Sequence, residues 1–178
     1  MSLSPPNPNA FTRSPLDRAS LKRKDDAWIK APLESDQAQL IAISKGRPFF
    51  YESGPGLFVR WLAGHVYGEL ADKRLPLLFL GLDQNQAPHF AFEVADPDSL
   101  AGLGLFEELR PAAPRLDAGQ LPAIGTARAV LDWHGRNGFC ANCGSPTRAI
   151  EAGWMRKCDA CSAEHYPRVD PVCIMIPT

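Results

Sequence analysis

Apolar residues gather in short runs through the middle of the chain, separated by turn-forming residues. Ala38 to Ile43 is one such run, with β-branched members. Arg47 to Tyr51 and Leu57 to Leu62 are aromatic and apolar, with Ser53-Gly54-Pro55-Gly56 between them as a turn. Runs of this length, punctuated by Gly, Pro and Ser, predict strands. Leu75 to Leu82 is strongly apolar and predicts a buried central strand. Beyond the polar turn Asp83 to Pro88, His89 to Val94 alternates and predicts its antiparallel neighbour. Residues 27–100 therefore read as strands and turns in a mixed or antiparallel sheet. Asp98 to Leu109 predicts a short helix, capped by Asp98 or Ser99 and ended by Arg110-Pro111, with Gly102 and Gly104 working against it. Leu121, Ile124, Ala127, Leu131 and His134 recur close to a 3.6-residue period and predict a connecting helix over 117–138, with Asp117 as its cap and Gly135 and Gly138 at its end.

The flanks look different. Residues 1–26 carry Pro5, Pro6, Pro8 and Pro15, then the charged stretch Lys22-Arg23-Lys24-Asp25-Asp26. They hold too little apolar surface to offset the entropy of ordering, and predict a flexible arm draped on the surface or on a partner subunit. At the other end, Val172-Cys-Ile-Met-Ile176 is an apolar run in which Cys173 reads as a small buried hydrophobe.

Composition narrows the function classes only a little. The chain has 178 residues, 45% apolar and 22% charged, enough for one ordinary domain plus a small module. Its 19 basic and 20 acidic residues leave a net charge of −1, which does not mark a nucleic-acid binder by bulk electrostatics. Arg136, Arg148, Arg156, Lys157 and Arg168 do cluster near the cysteines, and read as a solvated surface. There is no run long and apolar enough for a membrane helix and no apolar segment of signal-peptide type, so no membrane association is expected. The cysteines are confined to residues 140–173, unlike a secreted disulfide framework, and a reducing, cytoplasmic compartment is expected.

The sharpest chemical signal is the cysteine spacing. Cys140-x-x-Cys143 and Cys158-x-x-Cys161 stand fourteen residues apart. Each CxxC turn points two thiolates the same way, and a hairpin between two turns completes a tetrahedron around zinc. Gly144 follows the first pair, where a tight knuckle needs positive φ. Four cysteine ligands leave no position for water or substrate, so the ion is expected to be structural, and its binding energy to be folding energy for a module too small to stand alone. Two redox CxxC pairs are the competing reading, but the βαβ setting of such motifs is missing. His165, four residues past Cys161, reads as a surface or hydrogen-bonding residue rather than a ligand, and His134 as a packed, hydrogen-bonded histidine.

Around the cysteines the chain resembles one family. Leu131-Asp-Trp133-His134, Phe139-Cys-x-x-Cys-Gly144, Thr147, Gly153, Arg156, Cys158-x-x-Cys161 and Tyr166-Pro-Arg-x-Asp-Pro-Val172 are similar to the words of NADH pyrophosphatases of the Nudix hydrolase superfamily, as are Leu103-Gly-x-Phe106 and Leu109-Arg110 upstream. The resemblance implies an α+β chain with the following parts: an arm at 1–26, a Nudix-like N-terminal domain at 27–116, the connecting helix at 117–138, a small β zinc ribbon at 139–168, and at 169–178 the first strand of a catalytic Nudix domain that lies beyond. It implies a homodimeric enzyme that cleaves the pyrophosphate of NADH or NAD to nicotinamide mononucleotide and AMP, with NAD-capped RNA as a further substrate. Tyr166 and Arg110 are implied as substrate-binding residues, and position 153, glycine here, is acidic in some members, with Glu151 two residues upstream.

Catalysis in that superfamily needs a Nudix box, whose glutamates on one helix hold Mg2+ or Mn2+. No such motif occurs in these residues; the adjacent Glu107 and Glu108 lack its arginine and glycine. The chain is therefore expected to be a non-catalytic part of an NAD(H) diphosphatase. The alternative is a complete zinc-ribbon binding module for RNA or a protein partner.

Overall fold

A computed structural model describes residue 11 and residues 14–168. The first ten residues of the arm, Cys173 and the apolar run at 172–176 lie outside the described residues.

Asp25 starts the first helix, α1 (Asp26–Leu33), its carboxylate accepting from the Trp28 amide at 3.0 Å. This helix occupies part of the stretch expected as strands and turns. The sequence signal was the Asp25 cap, and what keeps a helix this short is the docking of Trp28 edge-on to Phe79, with ring centroids 5.6 Å apart. β1 (Gln39–Ser44) and β2 (Arg47–Ser53) form a hairpin through Lys45-Gly46, both at positive φ. Such two-residue turns match the right-handed twist of the strands. β3 (Gly56–Val59) pairs antiparallel with β2, and β4 (Trp61–Ala63) turns back to pair antiparallel with β1. A 3-10 turn and α2 (Tyr67–Leu70) follow, again within the stretch expected as strands.

β5 (Leu78–Leu82) and β6 (Pro88–Glu93) form the expected antiparallel pair, and β6 lies parallel to β1, so of the two arrangements left open, mixed or antiparallel, the sheet is mixed. The order is β3-β2-β1-β6-β5. β5 is fully buried but not central, because burial and strand position are separate properties. Its outer edge is covered by the N-terminal segment, where Asp17 and Leu82 exchange two backbone hydrogen bonds at 2.8 Å. Gly81 permits the approach, since a Cβ there would collide with the Asp17 carbonyl oxygen. The described part of the expected arm is thus docked, with Leu16 against the core and Arg23 buried.

Residues 98–109 do not form one helix. A 3-10 turn at Pro97–Leu100 is capped by Asp96, whose carboxylate accepts from the Asp98 amide, and β7 (Leu105–Phe106) then pairs with β2. α3 (Leu109–Ala112) begins where a helix was expected to stop. Pro111 falls in its first turn, where no intrahelical donor is lost. α4 (Leu121–Arg136) starts later than expected. The Asp117 carboxylate accepts from the Gly119 amide in the preceding turn, and Pro122 sits in the first helical turn instead.

Alternation along the strands divides the core between the two faces of the sheet. Ile41, Ile43, Phe50 and Leu78 pack with Ile124, Ala127 and Leu131 of α4. Leu40, Phe49, Phe79, Phe90 and Phe92 pack on the other face with Trp28 and Tyr67. Covering both faces explains why β1 and β5 read as continuous apolar runs rather than alternating ones. α4 leads into the ribbon, a small antiparallel sheet of β8 (Thr147–Ile150), β9 (Met155–Cys158) and β10 (Glu164–His165) in the order β10-β9-β8.

Candidate metal centre and adjoining groove

The two CxxC turns fold alike. In the first, the Cys140 amide donates to the Ser145 carbonyl at 2.8 Å and the Gly144 amide to the Cys140 carbonyl at 2.9 Å. In the second, the Cys158 amide donates to Ala163 and the Ser162 amide to Cys158, both at 2.9 Å. Gly144 and Ser162 occupy the same left-handed place, at φ 75° and 61°. Glycine takes it without strain; serine takes it because the knuckle over-determines it.

These turns bring all four sulfurs within 4.8 Å of one another. Cys140 and Cys161 lie 3.6 Å apart, and Cys143 and Cys158 lie 3.5 Å apart. A tetrahedron with Zn–S bonds of about 2.3 Å has edges of about 3.8 Å, close to these two separations, so the donor set suits that ion. The Asn142 amide approaches Cys140 Sγ at 3.4 Å and its side-chain amide approaches Cys161 Sγ at 3.6 Å; the Ala163 amide, and then the Asn142 side chain, hold the Cys161 thiol below its usual range. The Ser145 hydroxyl and amide hold Cys143 down to about 6. His165 Nε2 lies 3.3 Å from Cys140 Sγ, so the histidine partners a sulfur from outside the set of four.

One buried polar network ties the ribbon to α4. Arg156 is only 7% exposed, and its guanidinium donates to the Thr147 hydroxyl at 2.7 Å and carbonyl at 2.6 Å. A third N–H meets His134 Nδ1 at 3.0 Å. Because arginine only donates, Nδ1 accepts, and Nε2–H donates to the Gly153 carbonyl at 2.7 Å. Burial foremost, with the neighbouring guanidinium adding, pulls His134 down to about 4, so it is neutral at pH 7.

The Gly153 carbonyl belongs to an unusual corner. Glu151, Ala152 and Gly153 have φ of 51°, 52° and 88°, a left-handed turn in which two residues are not glycine. Trp154 follows it and donates from Nε1 to the Phe79 carbonyl at 2.7 Å, fixing the corner to β5. On its outer side a groove of about 1180 Å³ runs between α3, α4, the ribbon and the N-terminal segment. Arg110 and Tyr166, the two residues implied as substrate contacts, both line it, and so do Glu151 and Trp154. Glu151 thus presents a carboxylate to the groove although position 153 is glycine. Tyr166 is 52% exposed and its hydroxyl donates to Glu164 at 2.8 Å. Arg18 and Arg23 also line the groove. Sequence reasoning missed them because they fall in a stretch without periodicity.

Four of the basic residues near the cysteines are buried or ion-paired. Arg156 is buried, while Arg148 pairs with Asp159, Lys157 with Glu164 and Arg136 with Asp132.

A mixed-sheet α+β domain whose last helix carries a four-cysteine ribbon defines a two-module zinc-ribbon protein. Two family descriptions match it in tandem, the NADH pyrophosphatase-like rudimentary NUDIX domain over residues 37–133 and the NADH pyrophosphatase zinc ribbon domain over residues 136–166. The chain belongs to the NADH pyrophosphatase-like family. Its relatives include Nudix hydrolase 19, chloroplastic, of Arabidopsis thaliana, 32% identical over 169 residues that cover 80% of this chain and 38% of that protein. Human NAD-capped RNA hydrolase NUDT12 is 29% identical over 214 aligned positions, covering 94% of this chain and 45% of that protein. Human NAD(P)H pyrophosphatase NUDT13, mitochondrial, is 38% identical over 73 residues, covering 41% and 21%. The chain therefore spans less than half the length of these relatives.

Proposed function

We propose that this chain is the N-terminal and zinc-ribbon part of an NAD(H) diphosphatase, which cleaves the pyrophosphate of NADH or NAD+ to nicotinamide mononucleotide and AMP. The observation that carries the reading is the tandem match of both modules, 37–133 and 136–166, to the family. The relatives' names add NAD-capped RNA as a second substrate class. Cys140, Cys143, Cys158 and Cys161 hold one structural zinc in this reading, supported by their mutual distances. Arg110 and Tyr166 bind substrate from the groove they share, the arginine through its planar fork of donors and the tyrosine through its ring and hydroxyl. The working protein is a cytoplasmic homodimer. No described helix is long and apolar enough to cross a membrane.

The chemical step needs carboxylates that hold Mg2+ or Mn2+ against the pyrophosphate and activate water, and residues 1–178 contain no Nudix box to supply them. These residues are inactive alone; their part is to wall the substrate pocket and to place a catalytic Nudix domain. A ribbon that binds RNA by charge has less support, because Arg156 is buried and Arg136, Arg148 and Lys157 are each paired with a carboxylate.

The test incubates NADH and magnesium with residues 1–178 and, in parallel, with the product of the full reading frame. AMP and reduced nicotinamide mononucleotide are expected from the second alone. Turnover by residues 1–178 would overturn the inactivity, and no product from either would overturn the diphosphatase reading.

A further inference from the structure

The N-terminal segment lies outside both family matches, which begin at residue 37. Even so, it supplies one wall of the groove, with Phe11 against Gly125 of α4 and Arg18 and Arg23 beside Trp154. We propose that Arg18 and Arg23, stacked on Trp154, form a phosphate-binding site in this groove that receives a phosphate group of a nucleotide.

Among the described residues Arg23 is a buried cation with no ion pair of its own, although the Glu151 charge acts on it. It is 7% exposed, its Nε donates to the Arg18 carbonyl at 3.0 Å, and its Nη2 is buried with no hydrogen-bond acceptor. Its guanidinium carbon stands 4.1 Å from the centroid of the Trp154 ring, and that of Arg18 stands 5.6 Å from the same ring. A ring face attracts one cation readily, but two guanidinium groups over one ring repel each other. Burial, and then the Arg18 charge, pull Arg23 down to about 10, so both remain charged at neutral pH. Glu151 lines the same groove and its charge acts on Arg23, but it is shared with Lys24 at 3.5 Å. Arg110 and Arg128 add two further cations to the lining, and the Arg128 Nε is taken by a neutral acceptor, the Gly46 carbonyl. Among the described lining residues two glutamates, Glu108 and Glu151, therefore answer four arginines, and Glu108 is paired with Arg47.

An anion between Arg18 and Arg23 gives the under-satisfied Arg23 guanidinium a counter-charge where it lines the groove and relieves the repulsion over the ring. Phosphate suits the position because it offers several charged oxygens to two planar donor forks at once. The apolar side of the groove, with Leu109, Ala113, Pro122 and Val130, suits a base or sugar face, so the ligand class is a nucleotide rather than a free ion. In naming a nucleotide the proposal rests on the reading of the groove as a substrate pocket; the cation pair itself does not.

The test titrates the zinc-loaded chain with AMP and with adenosine by calorimetry at fixed ionic strength. AMP is expected to bind at least about tenfold more tightly than adenosine, and Arg18→Gln and Arg23→Gln each to weaken AMP about tenfold while leaving adenosine unchanged. Arg18 is exposed, so its variant keeps the fold even if loss of the buried Arg23 does not. Arg23→Lys, which keeps the charge but loses the fork, is expected to fall between wild type and Arg23→Gln. Equal binding of AMP and adenosine, no binding of AMP, or AMP binding indifferent to Arg18→Gln would each overturn the proposal. NADH cleavage by the full reading frame decides the diphosphatase reading separately. Cleavage without AMP binding to this chain would sink the phosphate site alone, and AMP binding without cleavage would sink the diphosphatase alone.

Discussion

The sheet domain and the ribbon solve the same problem of stability by opposite means. The sheet buries aromatic and aliphatic side chains on both faces, with Phe49, Phe50, Phe79, Phe90 and Phe92 all enclosed. The ribbon buries Met155 and two of its own cysteines and little else that is apolar. It relies on four converging sulfurs and on one buried arginine satisfied by Thr147 and His134. A module too small to bury enough apolar surface needs directional bonds instead, and those bonds titrate, chelate and break one by one where a hydrophobic core does not.

The strongest way to separate the two is to remove the ion. Chelation, or Cys158→Ser, is expected to cost the ribbon on the order of 10 kcal/mol and to release the amides of residues 139–166 to hydrogen exchange, while β1 and β6 stay protected. A ribbon still protected after chelation would show that the sulfurs are not what holds it. The converse experiment is Phe90→Ala, which opens a cavity in the sheet and is expected to cost about 3–5 kcal/mol in urea unfolding with zinc content unchanged. Loss of zinc in that variant would mean that the modules are one cooperative unit.

Acid probes the polar network between them. His134 is neutral in the fold and held down to about 4, against about 6.5 when unfolded, so the unfolded chain takes up the proton first. Stability from this group is complete above pH 6.5 and is lost as pH falls towards 4, by up to about 3 kcal/mol. The difference in unfolding free energy between wild type and His134→Gln, measured across that window, is expected to shrink as pH falls; a constant difference would refute the assignment of the neutral ring. Cysteine protonation is common to both proteins and cancels. At the small end, Arg148→Ala breaks an exposed pair with Asp159 and is expected to change stability by less than about 0.5 kcal/mol. A larger loss would mean that the ribbon's surface charges hold it after all.

Much of the ribbon was legible because its information is local. Two CxxC words and Gly144 specify their knuckles within five residues each, and the structure adds only that Ser162 takes the glycine's place in the second. The strand runs at 38–43, 47–51, 75–82 and 89–94 were legible for a similar reason, as apolar residues bounded by turns announce an extended segment wherever it ends up, though the third begins only at Leu78. So was the body of α4, whose apolar stripe meets the sheet. The cap of α4 was not, because Asp117, Gln120 and Pro122 all compete for the first turn. Gln120 is drawn off by tertiary structure, its side-chain oxygen accepting from the Val59 amide at 3.1 Å.

The sequence by itself determined the two CxxC words, the family and most of the strand segments, because spacing, motif and period are written within short stretches of chain. Only the tertiary structure decided that β5 lies at the edge, that the stretch around Asp17 covers it, and that Glu151, Arg110, Tyr166, Arg18 and Arg23 line one groove. Each of these joins residues dozens of positions apart. Contacts at that range are chosen by which surfaces bury each other best and by which buried donors find acceptors, and neither leaves a period in the sequence.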